Sequence, residues 1–401
     1  MSTTAVKAKK GIDDIAIGGR RVLLRVDFNV PMEGGRIVDD RRIRAAVPTI
    51  EALRERGGRV VVVTHFGRPR GRVDDALRVA PLARRLGELL DIVVPVAGDS
   101  GGDGSLAMVE SLCQGDVCML ENIRFDPEEE TNGERLVGRL AAIGDVYVND
   151  AFGAAHRAHA STEGVAHRLP AVAGRLMQRE LEMLGGVLEA PRRPLVAIVG
   201  GAKISSKLGV VRNLLSRVDT LWLGGAMACT FYRALGEETG TSLVEPDQID
   251  TAVSLLEEAR GAGADLRLPV DMVVTTTPQP GAPSEVVAWK AIPPDMAAVD
   301  VGPDTVRQMA ESCASAGTVV WNGPLGIYEI EDFARGTRGV AEALAESSAT
   351  SVVGGGDLAA ALDSIGVADR ITHVSTGGGA TLEFLEGRVL PGVAALLDRD
   401  S

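Results

Sequence analysis

Aromatic residues make up only 3% of this 401-residue chain, although 45% of it is hydrophobic. Its cores must be built from Val, Leu, Ile and Ala, which suits strands covered on both faces by helices. The cysteines Cys113, Cys118, Cys229 and Cys313 form no C-x-x-C pair and no regular spacing with histidine, so neither a zinc site nor a disulfide framework is expected. A reducing cytoplasm is the expected setting. No window approaches the ~20 apolar residues of a membrane span, and the basic start MSTTAVKAKKGIDD has no apolar run behind it. A soluble, unexported protein is expected. The net charge of −13 argues against a general nucleic-acid binder, which needs a positive field. Two nucleotide fingerprints are also missing: no Gly-Lys dipeptide occurs, so there is no P-loop, and there is no G-x-G-x-x-G. The string GDSGG, from Gly98 to Gly102, matches the surroundings of a trypsin-like nucleophile but sits in a loop of an α/β pattern, where that reading fails.

What the chain does have is short apolar runs alternating with helical patterns. RRVLLRVDF, GRVVVVTHF, DIVVPVA, DVCMLENI and DVYVNDAF read as strands in the first half. PLVAIVGG, DTLWLGG, DMVVTT, GTVVWNG, TSVVGGG and THVSTGGG read as strands in the second. The alternation predicts βαβ units and an α/β fold of two doubly wound parallel sheets. At 401 residues the chain exceeds what one core usually supports, so two domains are expected. Between the halves, GRLMQRELEMLGGVLEAPRRP carries helical spacing from about Leu176 to Leu188 before a Pro-rich exit, which predicts a connector helix with a boundary near Pro191. An ordinary surface helix fits that stretch equally well.

Ligands of open α/β sheets bind beyond the carboxyl ends of the strands. In the first half those ends carry Asp27 and Asn29, His65 and Arg68, Arg124, and then His156, Arg157 and His159. Arg42 and Arg44 precede Pro48, which the pattern allows as the first residue of a helix. Arginine forks match carboxylate and phosphate oxygens in pairs, so arginines converging from separate loops point to a small polyanion. His156 and His159 lack a third ligand in sequence reach and read as hydrogen-bonding loop residues rather than metal ligands.

The second half carries glycines instead. Gly200 and Gly201 end a strand, followed by Lys203 and Lys207, which helical spacing would place on one face. WNGPLGIYE, VDVGPDT, VVGGGDL and VSTGGGA add further strand-end glycines, and together they point to a nucleotide whose phosphates are held by amides. Asp357 is then available to Mg²⁺. Taken alone, VVGGGDL reads equally as a plain strand-to-helix turn with Asp357 as N-cap.

The segments RVDFNVP, HFGRP, NDAFGAAHRAHAST, GGAKISSKLGV, WNGPLGIYE, GGGD and STGGGATLEFLEG, in that order from about Val22 to Pro391, resemble the phosphoglycerate kinase family. The resemblance implies two Rossmann-like domains joined by a connector helix and hinge: 1–175 for phosphoglycerate, 176–190 as connector, 191–378 for nucleotide, and 379–401 returning to the first domain. It implies Mg²⁺-dependent, reversible phosphoryl transfer between 1,3-bisphosphoglycerate and ADP, giving 3-phosphoglycerate and ATP, in a cytoplasmic monomer that binds neither nucleic acid nor membrane. Carried over by motif, Asp27, Phe28, Asn29, Arg42, His65, Phe66, Gly67, Arg68, Arg124 and Arg157 form the phosphoglycerate side. Gly201, Lys207, Gly302, Asn322, Glu329, Gly355, Gly356, Asp357 and Leu358 form the nucleotide side, with Asp357 as metal ligand. Arg42, Lys203 and Gly378 attend the transferring phosphoryl.

The departure is Leu358, where the family commonly has Thr or Ser. Loss of that hydroxyl keeps open a second reading, a phosphate- or nucleotide-binding paralogue with reduced turnover. An NAD-dependent dehydrogenase is disfavoured by the missing fingerprint.

Overall fold

The computed structural model describes residues 8–400. Its Val-rich runs are the centres of two parallel sheets. The first orders its strands Val117–Met119, Arg59–Val63, Arg21–Arg25, Val146–Asn149 and Ala171–Ala173. Its central strand is buried from Val22 onward, as expected of a strand covered on both faces. The second sheet orders Asp265–Arg267, Thr220–Leu223, Leu195–Val199, Thr318–Asn322, Thr350–Gly354 and His373–Val374.

Register matters most for function. Arg25 lies opposite both Val63 and Asn149, and Asn322 lies opposite both Val199 and Gly354. Three neighbouring strands in each sheet therefore end in line, and the polar segments that follow them emerge along one edge.

Some elements differ from the sequence reading. DIVVPVA makes only a single bridge, Val96 to Met119, because Pro95 lacks an N–H and Val93 is exposed. DMVVTT leaves the parallel sheet and forms the middle of a small antiparallel one, Glu285–Ala288, Asp271–Thr275 and Ala297–Val301. Pro48 does not begin a helix; it lies inside the helix Arg41–Glu55, which starts where Asp39 Oδ1 accepts from the N–H of Arg41 at 3.0 Å. Arg42 thus sits in a helical first turn, while Arg44 is exposed and paired with Asp40 at 2.8 Å.

Two compact units result: the chain up to Glu182 together with the segment from Val389, and Met183–Arg388. The division falls within the helix Arg175–Glu189 and not at the predicted 190/191 boundary. The C-terminal segment joins the first unit from Val389, not from residue 379, because the helix Gly379–Leu385 stays in the second unit, where Asn213 Nδ2 donates to Leu385 O at 2.7 Å.

Asp150, the first residue beyond the strand Val146–Asn149, is fully buried and holds the start of the helix Arg175–Glu189. It accepts from the N–H groups of Leu176 and Met177 and from the Thr49 hydroxyl, and Thr49 Oγ1 also accepts from the N–H of Arg175 at 3.0 Å. A side-chain carbon at Gly174 would lie 2.1 Å from Asp150 Oδ1, so only glycine fits there. Burial pushes the Asp150 carboxyl up to about 6, against the hydrogen bonds that favour its charged form. In the second unit burial pushes Asp300 up to about 7, although it accepts from the N–H of Gly336 at 2.7 Å.

A carboxyl whose folded pKa lies above its unfolded value contributes stability at low pH and loses it as pH rises through the folded pKa. The contribution of Asp150 alone should therefore fall by roughly 3 kcal/mol between about pH 4 and pH 7, while histidines held neutral in the fold contribute in the opposite sense over the same window. Asp150→Asn, which keeps an acceptor for the helix amides, should lose that contribution, so that its stability in urea melts rises relative to the wild type as pH goes from 4 to 7. A pH dependence unchanged from the wild type would remove Asp150 as a source.

Candidate active site

The edge of the first sheet gathers arginines around one buried imidazole. His65 follows the strand Arg59–Val63 and is 3% exposed. Its Nδ1 receives Arg25 Nη2 at 3.1 Å. Asp27, two residues past the end of its own strand, accepts the N–H of Asn29 and lies 3.3 Å from Arg42 Nη1, which also donates to Asn29 O at 3.0 Å. Asn29 Oδ1 takes the N–H of Gly67 at 2.9 Å, and Gly67 O takes Arg124 Nη1 at 2.8 Å. The loops carrying Asp27, His65 and Arg124 are thus stitched together through their backbones.

Two buried amide and hydroxyl groups fix the same loops. Phe28 N–H donates to Thr64 Oγ1 at 3.0 Å. Asn122 accepts from the N–H of Phe66 and Arg124 and donates to Phe66 O. Phe28 and Phe66 are buried, so they support the site from beneath and offer only their backbones. Arg157 Nε donates to His156 Nε2 at 3.1 Å, and His159 Nδ1 lies 3.8 Å from the buried Glu129.

The electrostatics are those of an anion site. Burial first, then Arg25, Arg124, Arg157 and Arg42, drive His65 well below the ordinary histidine range. Burial and Arg124, Arg25 and Arg157 push His159 down to about 4. Even Arg124 is lowered, chiefly by burial. Arg68 stands apart: it is exposed, and among the described residues it joins none of these contacts.

In the second unit the contrast between two helix ends decides where an anion can sit. The helix Pro303–Ser315, which follows Gly302, is already capped: Asp271 accepts from Asp304 N–H at 3.0 Å and Thr305 N–H at 2.9 Å. Gly302 gives its own N–H to Asp271 O and its carbonyl to Val306, and a side-chain carbon there would lie 2.3 Å from the Asp271 carboxylate. The helix Gly356–Ile365 has Gly355 as N-cap, at φ +105°, with no side-chain cap. Asp357 is inside its first turn and exposed, not the N-cap. The first intrahelical donor is Ala359, to Gly355 O, which leaves the N–H groups of Gly356, Asp357 and Leu358 without intrahelical partners.

Facing that end, Asn322 is 1% exposed and its Nδ2 is a buried donor with no partner among the described residues. Lys207 Nζ donates to Asn322 Oδ1, and burial lowers the Lys207 ammonium while Asp357 opposes the shift. Tyr328 hydrogen-bonds Asp357. A stranded amide donor, a half-buried ammonium and uncapped amides together call for a ligand rich in acceptors.

Other expectations need correction. Lys203 and Lys207 do not share a helical face, because the helix begins at Leu208 and both lie in the turns before it; Lys203 is exposed and Lys207 is not. Leu358 is fully buried in the apolar cluster with Trp321, Leu325, Val353 and Leu362, so its side chain belongs to the core and only its N–H faces the turn. Several strand-end glycines are required by one another: a side-chain carbon on Gly323 would lie 2.4 Å from Gly200 O, and one on Gly225 2.5 Å from Gly201 O. Glu329 is exposed, and Gly378, at φ +49°, has open space around it. The GDSGG loop wraps a carboxylate instead of presenting a nucleophile: Asp99 accepts from Gly101, Gly102 and Gly104 N–H, and Ser100 Oγ donates to Asn122 O.

Arg25, Thr64, Asn122, Glu129 and Ser161 were missed by the sequence reading. Only Arg25 left a trace, as a charge inside the apolar run VLLRV.

Comparison with known proteins follows the same lines. The phosphoglycerate kinase family model matches residues 12–388. The chain is 55% identical over 392 residues to a phosphoglycerate kinase of Pelotomaculum thermopropionicum, covering 98% of this chain and 100% of the relative. It is 53% identical over 393 residues to that of Roseiflexus castenholzii, with the same coverage. Among solved structures, phosphoglycerate kinase from Coxiella burnetii superposes with a TM-score of 0.89 at 41% identity, covering 96% of this chain and 98% of that one. The enzyme from Pyrococcus horikoshii gives 0.85 at 35%, with the same coverage. The chain belongs to the phosphoglycerate kinase family, enzymes that reversibly transfer a phosphoryl group between 1,3-bisphosphoglycerate and ADP to give 3-phosphoglycerate and ATP.

Proposed function

We propose that the arginine group around His65 binds the phosphoglycerate and that the uncapped helix end at Gly356 binds the nucleotide phosphates. The observation that carries this division is the stranded Asn322 Nδ2 beside an uncapped helix end in one unit, set against the convergence of Arg25, Arg42, Arg124 and Arg157 on one imidazole in the other. Asp27 and Asn29 receive the substrate hydroxyl, His65, Arg124 and Arg157 its anionic groups, and Arg68, exposed at the rim, closes on it. Lys207 holds an α-phosphate and Glu329 the ribose hydroxyls. Gly201 and Gly302 shape the nucleotide bed by leaving room for neighbouring groups. Gly378 contributes backbone beside the transferring group.

Transfer of a phosphoryl group asks for in-line placement and positive charge on the equatorial oxygens. Arg42 and Lys203 supply that charge, one from each unit. Mg²⁺ fits the donor set: the exposed carboxylate of Asp357, in the first turn of the uncapped helix, suits an ion that takes its other ligands from phosphate and water. When bound, the ion neutralises phosphate charge. A monomer acting on small molecules in the cytoplasm is the working assignment, and a net charge of −13 disfavours nucleic acid.

A coupled assay of 3-phosphoglycerate-dependent ATP consumption tests the division. Arg157→Ala should raise KM for 3-phosphoglycerate and Lys207→Ala that for ATP, each by about ten- to a hundredfold, leaving the other KM nearly unchanged. Lys203→Ala should lower kcat by about 10²–10³. Loss of both KM values together in either binding variant would contradict the assignment. Because each unit holds one ligand set, both substrates together should contract the molecule in small-angle scattering, while no contraction in the ternary complex would remove closure from the mechanism. The core position of Leu358 gives no support to a turnover-impaired paralogue. Leu358→Thr should cost roughly 2 kcal/mol of stability by burying a hydroxyl and losing packing, with no gain in kcat. A faster enzyme would restore the missing-hydroxyl argument.

A further inference from the structure

A buried chain of groups runs from Glu129 to His65; burial raises the Glu129 carboxyl while Arg25 and the two Ser161 donors favour its charged form, and with Glu129 ionised each link runs in one direction. Arginine can only donate, so Arg25 Nε gives a hydrogen to Ser161 Oγ at 2.8 Å, and the single hydroxyl hydrogen of Ser161 is left for Glu129 Oε1 at 2.6 Å. Glu129 Oε2 accepts from the N–H of Ser161 at 3.0 Å, so both carboxylate oxygens are committed as acceptors of one residue. At its other end Arg25 Nη2 donates to His65 Nδ1 at 3.1 Å. The ring nitrogen that receives an arginine hydrogen cannot carry one itself. Asp27 Oδ1, at 3.9 Å from the same nitrogen, is too distant to accept a hydrogen bond from it. Glu129 is fully buried and Arg25 is 1% exposed, so this order is not exchanged with water.

We infer that Glu129 and Ser161, acting through Arg25, are positioning residues that fix His65 as the tautomer with its proton on Nε2, presented to the bound phosphoglycerate as a neutral donor. The inference rests on reading the Arg42, Arg124 and Arg157 group as the phosphoglycerate side. The remaining nitrogen fits the role: Nε2 has no hydrogen-bond partner among the described residues, and the charged groups around the ring, Asp27, Arg25, Arg42, Arg124 and Arg157, leave room for an acceptor and none for a further cation. A neutral donor adds a directed hydrogen bond without enlarging the positive charge that the arginines already concentrate. Neither Gln nor Asp replaces Glu129 well. A Gln that keeps its oxygen on the Ser161 N–H turns an NH₂ toward a hydroxyl already receiving Arg25, and Asp is one carbon too short to reach both.

The test reads the ring directly. Two-bond ¹H–¹⁵N correlation spectra of the full chain, with His65 assigned through His65→Gln, are recorded without ligand and then with 3-phosphoglycerate. The expected result is an unprotonated Nδ1 and a protonated Nε2 throughout the neutral range, with the Nε2 signal shifting on addition of 3-phosphoglycerate. A proton on Nδ1, or a ring that becomes doubly protonated near pH 6.5, overturns the inference on the wild-type protein alone. An Nε2 signal unmoved by saturating 3-phosphoglycerate overturns the donation to ligand, and with it the substrate-side reading, while the tautomer is judged separately from the ligand-free spectrum. Ser161→Ala should mix the two tautomers and raise KM for 3-phosphoglycerate about tenfold, with kcat and KM for ATP within about threefold. A single unchanged tautomer in both Ser161→Ala and Glu129→Gln would show that the ring is held without the chain.

Discussion

Like charges gathered in a dry place repel, and the first unit is organised around that cost. Arg25, Arg42, Arg124 and Arg157 all act on His65, itself nearly inaccessible. Such a group is tolerated where protein acceptors hold the guanidiniums. Arg25 has Ser161 and the carbonyl of Val26; Arg42 has Asp27 and Asn29 O; Arg124 has Gly67 O and lies 3.1 Å from Glu130. The imidazole answers by staying neutral. The cage is therefore positive, which suits the polyanionic substrate proposed for it.

The second unit presents the opposite kind of surface. It uses few cations and offers amides that are left over. The end of the helix Gly356–Ile365 is uncapped because Gly355 has no side chain to cap it and Asp357 has entered the helix. Asn322 keeps one donor stranded while Lys207 occupies its oxygen. Both surfaces rely on register, since strands ending in line bring loops far apart in sequence onto one edge of each sheet.

How much of this was legible follows from where each residue sits. Polar groups directly after apolar runs, such as Asp27, His65 and Asn322, announce themselves because a strand end is the one place a buried run must meet something polar. Arg25 lies inside such a run, and its partner Ser161 is more than a hundred residues away, so only the fold brings them together. Lys203 and Lys207 fit a helical spacing that the preceding turns do not continue. Pro48 looked like a helix start because proline favours that position, yet Asp39 begins the helix earlier and the proline is tolerated inside it. Leu358 looked like a lost contact because its neighbours Gly356 and Asp357 lie at the exposed start of the helix, although the helical turn points it into the core.

Asp271 gives the second unit a further property. By accepting the amides of Asp304 and Thr305, it behaves as a permanently bound intramolecular anion. Two strand-end helices of similar design thus differ at their N-termini: one has no side-chain cap and the other is capped by Asp271. An anion arriving at the second would have to displace an aspartate whose own binding carries no cost of association.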